Sequence, residues 1–90
     1  SEERYPLLKL AFAVGRKEGN LGAVMNGADE EAVALFLDEK IGFLDIERYI
    51  MKAVEAAAYI AHPSLDEVIE SDAWAREFVR RAWKGGMCLV

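Results

Sequence analysis

The sequence predicts an all-α fold, an antiparallel bundle of four main helices plus one short helix. Apolar residues recur at helical spacing in almost every segment, and no stretch alternates long enough for a half-buried strand. Glycine, proline or capping residues stand where the helical pattern breaks. Fourteen alanines, most of them in the helical stretches, add that the helix axes approach closely, because small side chains let neighbouring backbones come together.

The first predicted helix spans about Pro6 to Glu18. Proline suits the first helical turn, where its missing N–H costs nothing, and Leu7, Leu10, Ala11 and Val14 then share one face before "GRKEGN" ends it. The second runs from about Asn20 to Glu39 on Leu21, Val24, Met25, Ala28, Ala32, Leu35 and Phe36. Gly27 is its weak point, since glycine inside a helix costs about 1 kcal/mol relative to alanine. The third starts at Ile46, with Asp45 as its cap and Leu44 stapled on Tyr49, and stops at "HP", residues 62–63. Its face is Ile46, Ile50, Ala53, Val54 and Ala57.

Ser64 and Glu67 have the spacing of a capping box, in which two otherwise unpaired N–H groups are satisfied reciprocally. A short helix from Leu65 to about Glu70 follows. Ser71 or Asp72 then caps a last helix whose broad apolar face holds Trp74, Ala75, Phe78, Val79, Ala82 and Trp83. Gly85 and Gly86 stop it.

Ninety residues with 53% hydrophobic content suit one core and therefore a single helical domain over residues 1–90. The net charge is −5 and the basic residues are scattered, which argues against a nucleic-acid partner. The longest apolar runs, such as Ala56 to Ala61, fall far short of the roughly 20 residues that cross a bilayer, so no membrane partner is expected. With no basic-then-apolar leader, and with Cys88 third instead of fourth from the end of "MCLV", the expectation is an unlipidated cytoplasmic protein.

Few residues invite a chemical reading. Asp29, Glu30 and Glu31 are three consecutive carboxylates, and hard divalent cations want several such oxygens. Successive helical residues point about 100° apart, however, so the three do not converge on one ion, and an early helical turn that favours negative charge accounts for them better. His62, the one histidine, sits in a "HPS" turn beside a serine the capping box already uses. Cys88 has no basic residue nearer than Lys84 to make it a thiolate. Trp74 and Trp83, nine residues apart on the last helix, suit core packing or a partner surface. "GRKEGNLG" lacks the preceding strand that a phosphate-cradling loop requires. From the residues themselves, no catalytic constellation and no metal or cofactor site emerges.

Four segments together are more specific. "YPLLKLAFAV", "MNGADEEAVALFL", "IGFLDI" and "PSLDEVIESDAWARE" occur in the order and spacing that resemble the C-terminal helical domain of 1-deoxy-D-xylulose 5-phosphate reductoisomerase. The closing motif carries most of this: Pro63, Ser64 and Leu65, then Asp72 to Glu77. The match covers Tyr5 to about Ala82. Where the family reads Leu-Asn-Ala-Ala-Asn-Glu, this chain has Met25 to Glu30, keeping Asn26, Ala28 and Glu30 but changing the third and fifth positions to Gly27 and Asp29. "KGGMCLV" matches no pattern of the family.

The resemblance implies a piece of a longer, homodimeric enzyme that rearranges and reduces its phosphosugar with NADPH and a divalent metal, Mg or Mn, on the non-mevalonate route to isoprenoid precursors. It also implies that the nucleotide, the metal-binding acids and the substrate-phosphate ligands lie in upstream domains, so no catalytic, cofactor or metal residue is carried over to this chain. The implied partner is the catalytic domain of the same enzyme, and Asn26 and Glu30 are the first candidates for contact with it. A freestanding helical interaction module is the alternative.

Overall fold

The computed structural model describes residues 19–89. The described residues are helical throughout, in three helices: α1 over Leu21–Leu37, α2 over Phe43–Ala56 and α3 over Leu65–Lys84. The predicted helix from Pro6 to Glu18 lies outside them. Among the described residues there is no strand.

Helix α1 is the centre of the arrangement, packed on both α2 and α3, which meet each other only slightly. It buries Val24, Ala28, Ala32 and Leu35 along one face, and Met25, Val33 and Phe36 lean on the same core. Against it α2 brings Ile46, Tyr49, Ile50 and Ala53, and α3 brings Ala75, Val79 and Ala82. Ala28, Ala32, Ala53 and Ala75 have no exposed surface, so the small residues do sit where helices touch.

The expected bundle of four main helices plus one short one is seen only as three helices among the described residues, and α1 and α3 run parallel in direct contact. Side-chain links from α1 to α3 climb both helices together, from Asn20 with Ser71, through Asn26 with Asp72 and Glu30 with Arg76, to Glu31 with Arg80. Gly27 makes this closeness possible. A Cβ built on it would meet the Asp72 backbone carbonyl and lie 2.8 Å from Asp72 Oδ1. The residue that propensity marks as a weak point is the position where α3 comes nearest.

Helix ends differ from the sequence expectation in instructive ways. α1 stops in a paired-hydrogen-bond C-cap: Lys40 N–H donates to the Leu35 carbonyl at 2.9 Å and Glu39 N–H to the Phe36 carbonyl at 3.0 Å, with Glu39 itself at φ 60°. The same geometry closes α3, where Gly86 takes the left-handed position at φ 69° and Met87 N–H reaches the Ala82 carbonyl at 2.9 Å. α2 begins at Phe43, not Ile46. Asp45 does serve the start of the helix, but from its third position, accepting from Gly42 N–H at 3.0 Å. Leu44 forms no staple on Tyr49: it is 66% exposed while Tyr49 is buried.

α2 also ends at Ala56 instead of continuing to His62, because residues 57–64 are drawn into an extended path across the start of α1. The expected short helix and last helix are one. The Ser64 and Glu67 capping box forms as read, with Glu67 N–H to Ser64 Oγ at 3.1 Å and Ser64 N–H to Glu67 Oε1 at 2.9 Å. Ser71 and Asp72 then lie inside α3 and cap nothing; Ser71 Oγ accepts from Asn20, and the Asp72 oxygens accept from Asn26 and Arg76.

Replacing Gly27 with alanine separates local propensity from packing. Propensity alone would stabilise α1 by about 1 kcal/mol, whereas pushing a methyl into backbone in a filled interface costs roughly 1–3 kcal/mol. We expect Gly27→Ala to lower the melting temperature; a rise on thermal unfolding would show that α1 and α3 separate without cost.

Candidate functional site

Two polar constructions join the elements. The first is built on Asn20, immediately before α1 and only 2% exposed. An asparagine here ordinarily caps its own helix, yet this side chain makes no capping bond. Its Oδ1 accepts from Ile60 N–H at 2.7 Å, and its Nδ2 donates to the Ala58 carbonyl at 2.9 Å and to Ser71 Oγ at 3.1 Å. The Asn20 backbone N–H donates to the Ile60 carbonyl at 3.1 Å. One residue thus ties the loop before α3, the start of α1 and the middle of α3. Gly19, at φ 86°, turns the chain into this position, and a side chain there would strike the Ile60 carbonyl and the Tyr59 ring.

The second construction is the seam between α1 and α3. Arg76 lies at its centre, with Nη2 on Glu30 Oε2 at 2.5 Å and Nε on Asp72 Oδ1 at 2.6 Å. Asn26 Nδ2 donates to the other Asp72 oxygen at 3.2 Å. One turn on, Arg80 bridges Glu31 and Glu77, each at 3.1 Å, and Glu77 also holds Arg81 at 2.9 Å. Hydrogen bonds from Arg76, with that cation's charge, hold the Asp72 carboxyl below the ordinary range against the opposing effect of burial, and the Asn26 amide helps. Arg76 and Arg80 are pushed the other way, chiefly by their bonds to Asp72 and Glu31 respectively. Asp72, Arg76 and Arg80 are thereby held in their charged forms, the reverse of what a proton-transferring group needs. Burial, and then the charge of Asp45, raise the Tyr49 phenol, so it too stays protonated and inert.

Of the three consecutive carboxylates, none lies in the first turn of its helix. They lie mid-helix, as the predicted start near Asn20 already required, and the early-turn explanation gives way to cross-helix pairing for Glu30 and Glu31. Among the described residues, no group of three or more His, Cys, Asp or Glu side chains is placed to hold a metal ion. The seam does not fit one either, since its carboxylates already face arginines. His62 and Cys88 lie on the surface, far apart in the sequence and in different loops. The tryptophans divide: Trp83 packs on the core, while Trp74 is 40% exposed and stacks on Phe78 with ring centroids 5.2 Å apart.

Asn26 and Glu30, singled out from the sequence, are therefore brought together by Asp72 and Arg76. Asn20, Ser71, Arg76 and Arg80 were missed as site residues. A signal for the seam was present: Glu30 and Glu31 have no basic residue three or four positions away on α1, so their partners had to come from another helix. No local pattern announced Asn20.

Two measurements probe these constructions. Asn20→Ala leaves the Ile60 N–H and Ala58 carbonyl without their partner, and a buried orphaned group costs about 1–3 kcal/mol; we expect a loss of about 2 kcal/mol in chemical denaturation, which Asn20→Asp, able to accept but not donate, restores only in part. For Asp72 the sign follows from its lowered folded-state pKa. Its contribution is complete above the ordinary value of 3.8 and is lost as pH falls through the lower folded value. Asp72→Asn should therefore reduce stability at neutral pH and flatten its decline as pH falls below about 4; an unchanged acid limb would contradict the pairing.

The described part of the chain contains no helix long and apolar enough to cross a membrane. Comparison with known proteins then fixes its relations. The family model described as the DXP reductoisomerase C-terminal domain matches residues 1–78. Relatives named 1-deoxy-D-xylulose 5-phosphate reductoisomerase include one from Parasynechococcus marenigrum, 53% identical over 97% of this chain and 22% of its own length. Another, from Exiguobacterium sibiricum, is 52% identical over 88% of this chain and 21% of its own length. A third, from Heliobacterium modesticaldum, is 50% identical over 84% and 19% respectively. The chain spans about a fifth of the length of the curated relatives it matches. It belongs to the family of DXP reductoisomerase C-terminal domains.

Proposed function

We propose that the chain serves as the C-terminal structural domain of a 1-deoxy-D-xylulose 5-phosphate reductoisomerase, supporting the catalytic domain and carrying no catalytic residue itself. The observation that carries this reading is the combination of family membership with coverage of about a fifth of each relative. On this reading NADPH and a divalent metal, Mg or Mn, belong to the upstream domains of a homodimeric, cytoplasmic parent. The parent isomerises and reduces its substrate to 2-C-methyl-D-erythritol 4-phosphate for isoprenoid synthesis.

The domain's contribution is preorganisation. A catalytic constellation displaced by about 1 Å can lose about 100-fold in rate with every reacting group intact, so a rigid neighbour has value without chemistry of its own. The α1 and α3 seam suits that task because its arginines hold two helices at fixed register. Asn26 and the half-exposed Glu30 lie on its outer edge, where they are the first candidates to touch the catalytic domain.

The test uses the parent enzyme and this chain in parallel, following NADPH oxidation with substrate and Mg or Mn. The chain alone is expected to give no turnover, and measurable turnover from its 90 residues would overturn the proposal. In the parent, joint Asn26→Ala and Glu30→Ala replacement is expected to lower turnover and stability by more than the same pair destabilises the isolated chain. Equal losses would confine both residues to the seam.

A further inference from the structure

Gly27 lets α3 close on α1, and it also sets a glycine directly after Asn26. That dipeptide has a chemistry of its own. The Gly27 backbone nitrogen can attack Cγ of the Asn26 side chain; its proton leaves with the amide NH2 as ammonia, and a five-membered succinimide forms. Water then opens the ring at either carbonyl, leaving aspartate or isoaspartate. The attack is easiest when the following residue has no Cβ to obstruct it and the backbone is free to turn. The chain holds two asparagines and no glutamine. Asn20 precedes Leu21, is 2% exposed and has both polar side-chain atoms bonded. Asn26 is exposed and precedes glycine, so the susceptible bond is the one after position 26.

We propose that Asn26 and Gly27 form a deamidation site gated by the α1 and α3 seam. Three features of the folded chain hold it shut. Both residues lie inside α1, where the Gly27 N–H belongs to the helical hydrogen-bond ladder and the helical ψ of Asn26 keeps that nitrogen out of reach of Cγ. The Asn26 amide donates to Asp72 Oδ2 at 3.2 Å, which draws the side chain across to α3. The Asp72 backbone carbonyl lies against Gly27, so this turn of α1 does not unwind until α3 lifts away. Opening the seam removes all three restraints together.

The product then opposes closure. A carboxylate at position 26 no longer offers the N–H that Asp72 accepts, and it faces that carboxylate instead, with Glu30 one turn along the same helix. Arg76 is already shared between Asp72 and Glu30. Isoaspartate also routes the main chain through the side chain, adding a carbon that the helical repeat does not accommodate. An opening that ends in deamidation is therefore not reversed, and the chain keeps a covalent record that its seam has parted.

The test incubates the full chain at mildly alkaline pH, folded and in guanidinium chloride, and follows intact mass, peptide maps and enzymatic methylation of isoaspartate. Conversion at Asn26 is expected in denaturant, and in the folded chain at a rate at least about tenfold lower, because the reaction draws on the opened population. Val79→Ala trims a fully buried α3 side chain seven positions beyond Asp72. It should raise the folded-state rate by the factor by which it raises the opened population in chemical denaturation. If that variant does not fold, Arg80→Ala, which removes a seam link, takes its place with the same expectation. Asn26→Asp should melt below Asn26→Ala. Denatured chain that does not convert at Asn26 overturns the site. Folding that slows the reaction by less than the stated factor, or a folded-state rate that a destabilising variant leaves unchanged, overturns the gate. Asn26→Asp as stable as Asn26→Ala overturns the opposition to closure.

Discussion

The fold depends on one buried amide. Asn20 bonds both the loop between α2 and α3 and the body of α3, and it does so from the position immediately before the central helix. Ala57 to Ser64 has no regular structure of its own, so its backbone groups need partners from elsewhere. The amide offers an acceptor and two donors in one plane, which is what a strand-like segment presents to a neighbour. Given that match, α2 ends early and the loop crosses beneath α1. α3 then sets off parallel to α1 instead of falling back along α2.

A parallel pair of helices in direct contact needs something other than apolar burial to fix its register, because a stripe of alanines slides as easily as it packs. Gly27 lets the two backbones come within reach, and the Asp72 backbone occupies the space its missing side chain leaves. The ladder from Asn26 to Arg80 then locks the alignment with directional, charge-assisted bonds. Surface ion pairs of this kind contribute little energy individually. Their value here is geometric: Arg76 reaches a carboxylate on each helix and therefore tolerates only one offset between them.

The seam suits the supporting role proposed for the domain. Its pairing keeps Asp72 ionised and Arg76 and Arg80 protonated. Rigidity of this kind is what the proposed supporting role requires, and it explains why a chain with sixteen acidic and eleven basic residues places its best-connected charges between its own helices.

The helical class, the Ser64 and Glu67 cap, the Gly85 and Gly86 stop and the core faces of all three helices were legible in the sequence, since each depends on residues within a turn or two of one another. The family was legible too, because its motifs are contiguous. Other features were not. Ser71 and Asp72 look like caps from their neighbours and become mid-helix ligands only when α1 arrives. Asp29 to Glu31 read as an early turn until α3 brings Arg76 and Arg80 to Glu30 and Glu31, and Asn20 looks like an ordinary helix start. In each case a polar side chain has a local use and a distant one. The sequence by itself determined which segments coil and which faces are apolar; tertiary structure alone decided how far α2 extends, which way α3 runs and what the polar side chains bind. Those choices compare a local hydrogen bond with one that exists only after two distant segments have met.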